Sequence, residues 1–168
     1  GLLREYLLNQ INELNSNGVR LRVIGERDNL DQDIKILIEE GEKSTKSNTN
    51  LDLIIALSYG SRAEIVNATK RILNNVDSGV IKPNDLSEVL FESYLDTAGI
   101  PNPDLLIRTS GEKRLSNFLL WQLAYTELVF SEVLWPDFGE PNFTDALYEF
   151  TQRERRFGTI DTYRIDEN

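Results

Sequence analysis

Two arginines, a serine and an asparagine crowd around one glycine in the run Asp104-Leu-Leu-Ile-Arg-Thr-Ser-Gly-Glu-Lys-Arg-Leu-Ser-Asn117. Arg108 and Arg114 carry planar, permanently charged guanidiniums suited to phosphate oxygens. Gly111 lets the chain between them fold back, because glycine tolerates positive φ. Ser116 and Asn117 fall where a helix is predicted to begin, and the free N–H groups and dipole of a helix start favour an anion. Together these residues suit a diphosphate. A plainer reading stays open: Ser116 caps a helix and the arginines pair with surface acids such as Glu112.

Glu127 follows the apolar run Phe118-Leu-Leu-Trp-Gln-Leu-Ala-Tyr125. A carboxylate beside buried surface needs a partner, which a metal ion or an arginine would supply. A solvated glutamate at a helix end is the alternative. The chain has no His and no Cys. That removes the commonest general base and all thiolate chemistry, and it leaves a hard, oxygen-liganded ion such as Mg²⁺ as the metal to expect. Arg153, Arg155 and Arg156, before Gly158, either favour a helix C-terminus or reach an anion held by another subunit. Tyr59-Gly60-Ser61-Arg62 has the form of a strand-to-helix phosphate turn but is too short to be specific.

The elements that must position these residues follow from periodicity. Leu3, Leu7, Ile11 and Leu14 repeat at helical spacing, and Gly18 is the predicted C-cap. Val19–Ile24 alternates as a strand that turns at Gly25. Asp31–Lys46 reads as a helix, Leu51–Leu57 as an apolar strand, and Arg62–Val76 as a helix. A short helix is predicted from Pro83 to about Leu95. Asp104–Arg108 is a strand, Ser116–Glu127 a helix apolar on most sides, and Leu128–Phe130 a short strand. Such a helix is either central in the core or half covered by another subunit, with Trp121 and Tyr125 of the types favoured in interfaces. A last helix carries Phe143, Ala146, Leu147, Phe150 and Phe157. Strands separated by helices argue for an α/β fold with a mostly parallel central sheet flanked by helices, whose ligands sit beyond the carboxyl ends of the strands.

The 168 residues suffice for one domain, and their net charge of −10 argues against nucleic acid as the main partner. No apolar run reaches the ~18 residues of a membrane span. A cytoplasmic location is the default expectation. There is no Met, and the chain opens inside what reads as a helix, so a piece of a longer protein is expected.

Four segments resemble the cis-prenyltransferases, the undecaprenyl diphosphate synthase family. Arg20-Leu-Arg-Val-Ile-Gly25 is similar to the family's R-x-R-x-I-G strand. Ala56–Ile65 resembles its N-Y-G-G-R-x-E-I segment, with Ser61 where a second glycine is usual. Pro103–Phe118 and Leu134–Phe138 follow the family pattern throughout. The resemblance implies an undecaprenyl diphosphate synthase-like fold, with residues 1–168 as the carboxy-terminal portion of a single domain. It implies chain elongation, in which isopentenyl diphosphate is condensed onto an allylic diphosphate, farnesyl being expected. The product would be a cis long-chain polyprenyl diphosphate, undecaprenyl, the lipid carrier precursor for cell-wall synthesis.

By the same resemblance Arg108, Arg114, Ser116 and Asn117 hold isopentenyl diphosphate, and Glu127 helps coordinate Mg²⁺. Arg156-Phe157-Gly158 reaches across a homodimer toward the partner's substrate, and the helix carrying Trp121 lies near the dimer interface. Transient contact with a membrane surface would accompany product release. The family's amino-terminal D-G-N-x-R-W motif, which supplies the catalytic Asp and the allylic diphosphate loop, is absent from the 168 residues. The fragment alone is therefore expected to be inactive. Two alternatives remain: a non-catalytic subunit of a two-component cis-prenyltransferase, and a plain α/β anion-binding module.

Overall fold

A computed structural model describes residues 10–153. They fall into two compact units that divide between Ile100 and Pro101.

In the first unit, residues 10–16 are helical and Gly18, at φ +68°, ends the turn that follows. Asn50 lies against that glycine. Its N–H donates to the Gly18 carbonyl at 2.9 Å and its side chain to the Asn17 carbonyl at 2.9 Å. The order is then β1 (Val19–Ile24), α1 (Gln32–Thr45), β2 (Leu51–Ala56), α2 (Ser61–Asp77) and α3 (Glu88–Glu92). β1 and β2 are parallel, with Val19 beside Leu51 and Ile24 beside Ala56. Alternation sorts the side chains of β1. Leu21 and Val23 form a core with Ile38 of α1, and Ile11, Ile34, Leu53 and Ile55 pack around it. Fully burying a Leu or Ile stabilises by roughly 1.5–3 kcal/mol, and both Leu21 and Ile38 are essentially inaccessible. On the other face Arg20 meets its register partner Asp52, where Nη2 donates to Oδ2 at 2.8 Å. That contact holds the Asp52 carboxyl below its ordinary range.

The outer edge of β1 is closed by side chains. Even-numbered residues face β2: Leu57 N–H donates to the Ile24 carbonyl and Glu26 N–H to the Ser58 carbonyl. The odd-numbered amides therefore point away. Leu21 N–H donates to Thr45 Oγ1 at 3.0 Å, Val23 N–H to Glu42 Oε1 at 2.8 Å, and Gly25 N–H to Asp96 Oδ2 at 3.2 Å. Asn48 and Arg27 donate to the outward carbonyls of Val19 and Val23. Glu42 and Thr45 lie three residues apart on one face of α1, which therefore runs along the strand edge, and Asn48 follows just beyond the helix end.

In the second unit, β3 (Leu105–Arg108) and β4 (Glu127–Phe130) pair in parallel, with Leu105 beside Glu127 and Arg108 beside Phe130. α4 (Glu140–Thr151) packs against β4. The predicted α/β class with parallel pairing is what forms. It is divided into a two-stranded sheet in each unit rather than one central sheet among the described residues.

Two predicted helices differ. Residues 83–95 form a 3-10 turn at Pro83–Asp85 and then α3, because Leu86 is extended and Ser87 starts a new helix by accepting from Leu90 N–H at 3.2 Å. Residues 116–126 form successive turns and no helix. Ser116, Asn117 and Leu119 have φ of +50°, +63° and +44°, which is incompatible with a right-handed helix. Most of the local bonds there span three residues, such as Phe118 N–H to the Leu115 carbonyl. The segment is not buried all round either: Leu123 and Gln122 are buried, whereas Tyr125 is 76% exposed.

Thr45 also donates to the Gly41 carbonyl at 2.8 Å. Thr45→Val keeps its shape and strands the buried Leu21 N–H, so denaturant unfolding should show a loss of about 1–3 kcal/mol. A midpoint equal to that of the wild type would mean the edge amide is satisfied some other way.

Candidate functional site

The loop after β3 carries Arg114, Ser116 and Asn117 of the predicted anion ligands, and Arg108 ends the strand before it. Ser110 and Gly111 are left-handed in succession, at φ +68° and +67°, and reverse the chain. The reversed loop stays laced to the segment after β4. Ser131 N–H donates to the Arg108 carbonyl at 2.7 Å, Gly111 N–H to the Ser131 carbonyl at 2.9 Å, and Ser110 N–H to the Val133 carbonyl at 2.8 Å. A Cβ on residue 111 would lie 2.5 Å from a carboxylate oxygen of Glu132. Only glycine fits there without displacing that side chain.

Arg108 closes β3 and is half-buried. Arg114 forms an ion pair with Glu112, its side chain 63% exposed. This is the surface pairing that the plainer reading anticipates. Exposed pairs contribute only about 0–1 kcal/mol, so a doubly charged anion could draw Arg114 away at small cost. Ser116 and Asn117 lie on the same loop and are exposed. They are in turns, so the helix-start argument for their anion affinity does not hold. What remains is the hydroxyl of Ser116 and the amide of Asn117.

Glu127 opens β4 beside Leu105, at the opposite end of the β3–β4 pair from Arg108. Three residues at about 3.3 Å each separate those ends by roughly 10 Å. Its Oε2 accepts from Arg153 Nη1 at 2.9 Å, and Arg153 also bonds Glu149 one helical turn back. Both carboxylates push the Arg153 pKa up, the hydrogen bond to Glu127 being the largest single cause. Of the partners anticipated for Glu127, the arginine is present. No group of three or more acidic or other metal-ligating side chains converges among the described residues. Arg156 and Gly158 lie outside the described residues.

A second polar site was not found by sequence reasoning. At the carboxyl ends of β1 and β2 lies a cavity of about 450 Å³, lined by residues that include Gly25, Arg27, Tyr59, Gly60, Arg71 and Asp96. Glu64, at its base, is 3% exposed. Its carboxylate accepts from the Tyr59 hydroxyl at 2.6 Å and from Asp96 N–H at 2.9 Å. Asp96 in turn accepts from Gly25 N–H and lies 3.6 Å from the Arg71 guanidinium. Burial and the neighbouring Glu64 hold the Tyr59 phenol protonated well above its ordinary range. The signal available in the sequence was the Tyr59–Arg62 turn, whose following helix α2 carries an acid in its first turn.

Comparison with known proteins gives this geometry a context. The family model described as "Putative undecaprenyl diphosphate synthase" matches residues 1–158. The chain belongs to the undecaprenyl diphosphate synthase family. An isoprenyl transferase of Brucella suis is 52% identical over 162 residues, which are 96% of this chain and 63% of that protein. An isoprenyl transferase of Geobacter sulfurreducens is 50% identical over 157 residues, 94% of this chain and 64% of that protein. The chain thus spans a little under two thirds of these family members.

Two solved structures share the family fold. Lavandulyl diphosphate synthase from Lavandula x intermedia, in complex with dimethylallyl diphosphate, superposes with a TM-score of 0.90 at 38% identity. The match covers 94% of this chain and 68% of that one. A probable undecaprenyl diphosphate synthase from Campylobacter jejuni gives a TM-score of 0.80 at 37% identity, covering 94% and 72%.

The raised Tyr59 pKa has a definite pH consequence. A phenol whose folded pKa lies above its unfolded value of 10.0 contributes stability that is complete below pH 10 and is lost as pH rises toward the folded pKa. Tyr59→Phe should therefore be less stable than wild type at pH 8, and the gap should narrow above pH 10. A gap independent of pH in paired denaturation curves would contradict the assignment.

Proposed function

We propose that the full-length protein is a cis-prenyltransferase that adds isopentenyl diphosphate to an allylic diphosphate. This chain would be the carboxy-terminal portion of that single domain. The observation that carries the reading is identity of about half over nearly the whole chain to relatives named isoprenyl transferase. The lavandulyl synthase, solved with dimethylallyl diphosphate, supports an allylic diphosphate as one substrate. Farnesyl diphosphate as that substrate, and undecaprenyl diphosphate as the product for cell-wall synthesis, are the finer parts of the proposal.

In the reaction the allylic carbon–oxygen bond breaks and pyrophosphate leaves. The double bond of isopentenyl diphosphate supplies the electron pair for the new carbon–carbon bond, and a proton is then lost. The protein's contribution is positioning and charge stabilisation. Arg108 and Arg114 hold the diphosphate of isopentenyl diphosphate. Ser116 and Asn117 add neutral donors, and Arg156 and Gly158 approach from the other subunit of a homodimer.

Glu127 is the residue here that would hold Mg²⁺. One carboxylate fits that ion, which commonly binds through one or two carboxylates plus substrate phosphates, and Glu127 Oε2 would exchange Arg153 for it. When bound, the ion offsets charge on the departing pyrophosphate. A cytoplasmic location with transient contact at a membrane surface completes the reading. No helix among the described residues is long and apolar enough to cross a membrane.

The test is incorporation of labelled isopentenyl diphosphate by the full-length protein with farnesyl diphosphate and Mg²⁺. Long-chain product that disappears on chelation supports the synthase. No product from folded, dimeric protein would favour a non-catalytic subunit. Arg114→Ala should raise the KM for isopentenyl diphosphate about tenfold or more, the loss of one charge-assisted hydrogen bond, with little change for the allylic substrate. Equal effects on both substrates would remove Arg114 from its role. Glu127→Gln should shift the Mg²⁺ titration to higher concentration, and an unmoved titration would leave Glu127 as the partner of Arg153 alone.

A further inference from the structure

The first unit holds an ionisable side chain that the proposed chemistry does not use. Glu64 is among the most buried of the described residues, at 3% exposure. A carboxylate in that setting persists only where donors replace its water. Two of those donors come from different segments. The Tyr59 hydroxyl belongs to the turn after β2, and the Asp96 N–H to a segment 32 residues downstream. Ser61, which is fully buried, also hydrogen-bonds the Tyr59 phenol.

Asp96 carries the connection onward. Its carboxylate receives Gly25 N–H, the last outward amide of the β1 edge. Arg22 donates to the carbonyls of Asp96 and Ala98 and holds the same segment from below. The two turns joined in this way are under constraint. Gly25 is at φ +110°, and a Cβ there would lie 2.2 Å from the Leu57 carbonyl oxygen. Ser58 is left-handed, at φ +49°. Left-handed backbone at a non-glycine residue persists only where its surroundings over-determine it. The cavity lined by these turns opens at the carboxyl ends of parallel strands, where α/β folds bind their ligands.

We propose that Glu64 is a positioning residue: by bridging Tyr59 and Asp96 it sets the spacing of the turns after β1 and β2, and with it the shape of the polar cavity between them. It acts as a hydrogen-bond acceptor and touches no reacting atom. The bridge stands on geometry alone. Its kinetic consequence rests on the prenyltransferase reading, so the experiment has an arm for each.

In the full-length protein, amide hydrogen exchange of Glu64→Ala is compared with wild type. Exchange at Asp96 and Gly25 should accelerate about tenfold or more, as expected for loss of one hydrogen bond to a buried charge. The Leu21 amide, held by Thr45, should stay protected. In the incorporation assay kcat/KM should fall about tenfold, while Glu64→Gln, which keeps an acceptor oxygen, should restore both readouts.

Unchanged exchange at Asp96 and Gly25 in Glu64→Ala would overturn the bridge. So would a Glu64→Gln variant as impaired as the alanine. If Glu64→Ala does not fold, Tyr59→Phe removes one arm of the bridge and should accelerate exchange in the 59–61 turn; an unaltered turn would again overturn it. A wild-type protein that incorporates nothing would sink the enzymatic reading, while the exchange measurements still decide the role of Glu64.

Discussion

Among the described residues β1 has a strand partner on one side only, which leaves a row of amides that must find acceptors, and that constraint organises the first unit. β1 meets it with side chains. Thr45 and Glu42 take the amides of Leu21 and Val23, and Asp96 takes that of Gly25. These contacts fix α1 along the strand and so place Ile38 over Leu21 and Val23. They also bring the chain around Asp96 back to the carboxyl end of the sheet. An unsatisfied buried amide costs about 1–3 kcal/mol, so the edge and the core are held by comparable energies.

The second unit solves a different problem, holding positive charge in a chain whose net charge is −10. Two of the three arginines among its described residues carry a carboxylate: Arg114 has Glu112, and Arg153 has Glu127 and Glu149. A ligand anion must compete with these pairs. Competition is easiest at Arg114, where both partners are well exposed and solvent screens them. At Arg153 the partners are more enclosed, with about a third or less of each of Arg153 and Glu127 exposed, and exchange costs more.

The elements legible in the sequence were those whose pattern and end signals agree. Val19–Ile24 alternates and stops at a left-handed glycine, and α1 and α2 carry one apolar face each. The segment 116–126 was not legible. Its run of apolar residues carries no narrow stripe, and periodicity cannot anticipate left-handed backbone at Ser116, Asn117 and Leu119. The arginine loop could be found because its residue types are informative wherever they lie. The relation of Glu127 to it was not, since sequence order hides that β4 begins beside the start of β3. Glu64 escaped for a similar reason: its partner Asp96 is 32 residues away, and spacing arguments see only near neighbours.

The lacing of the loop after β3 bears on the entropy of binding. Residues 108–111 are tied to 131–133 by three backbone bonds, so Arg108 and the reversal that follows it are already ordered before any anion arrives. Arg114, Ser116 and Asn117 are exposed beyond that laced stretch. A ligand held by this loop would lose little freedom to its first half and most to its second. Affinity gained by stiffening the protein would therefore come from residues 112–117, and the same change made at 108–111 would add little.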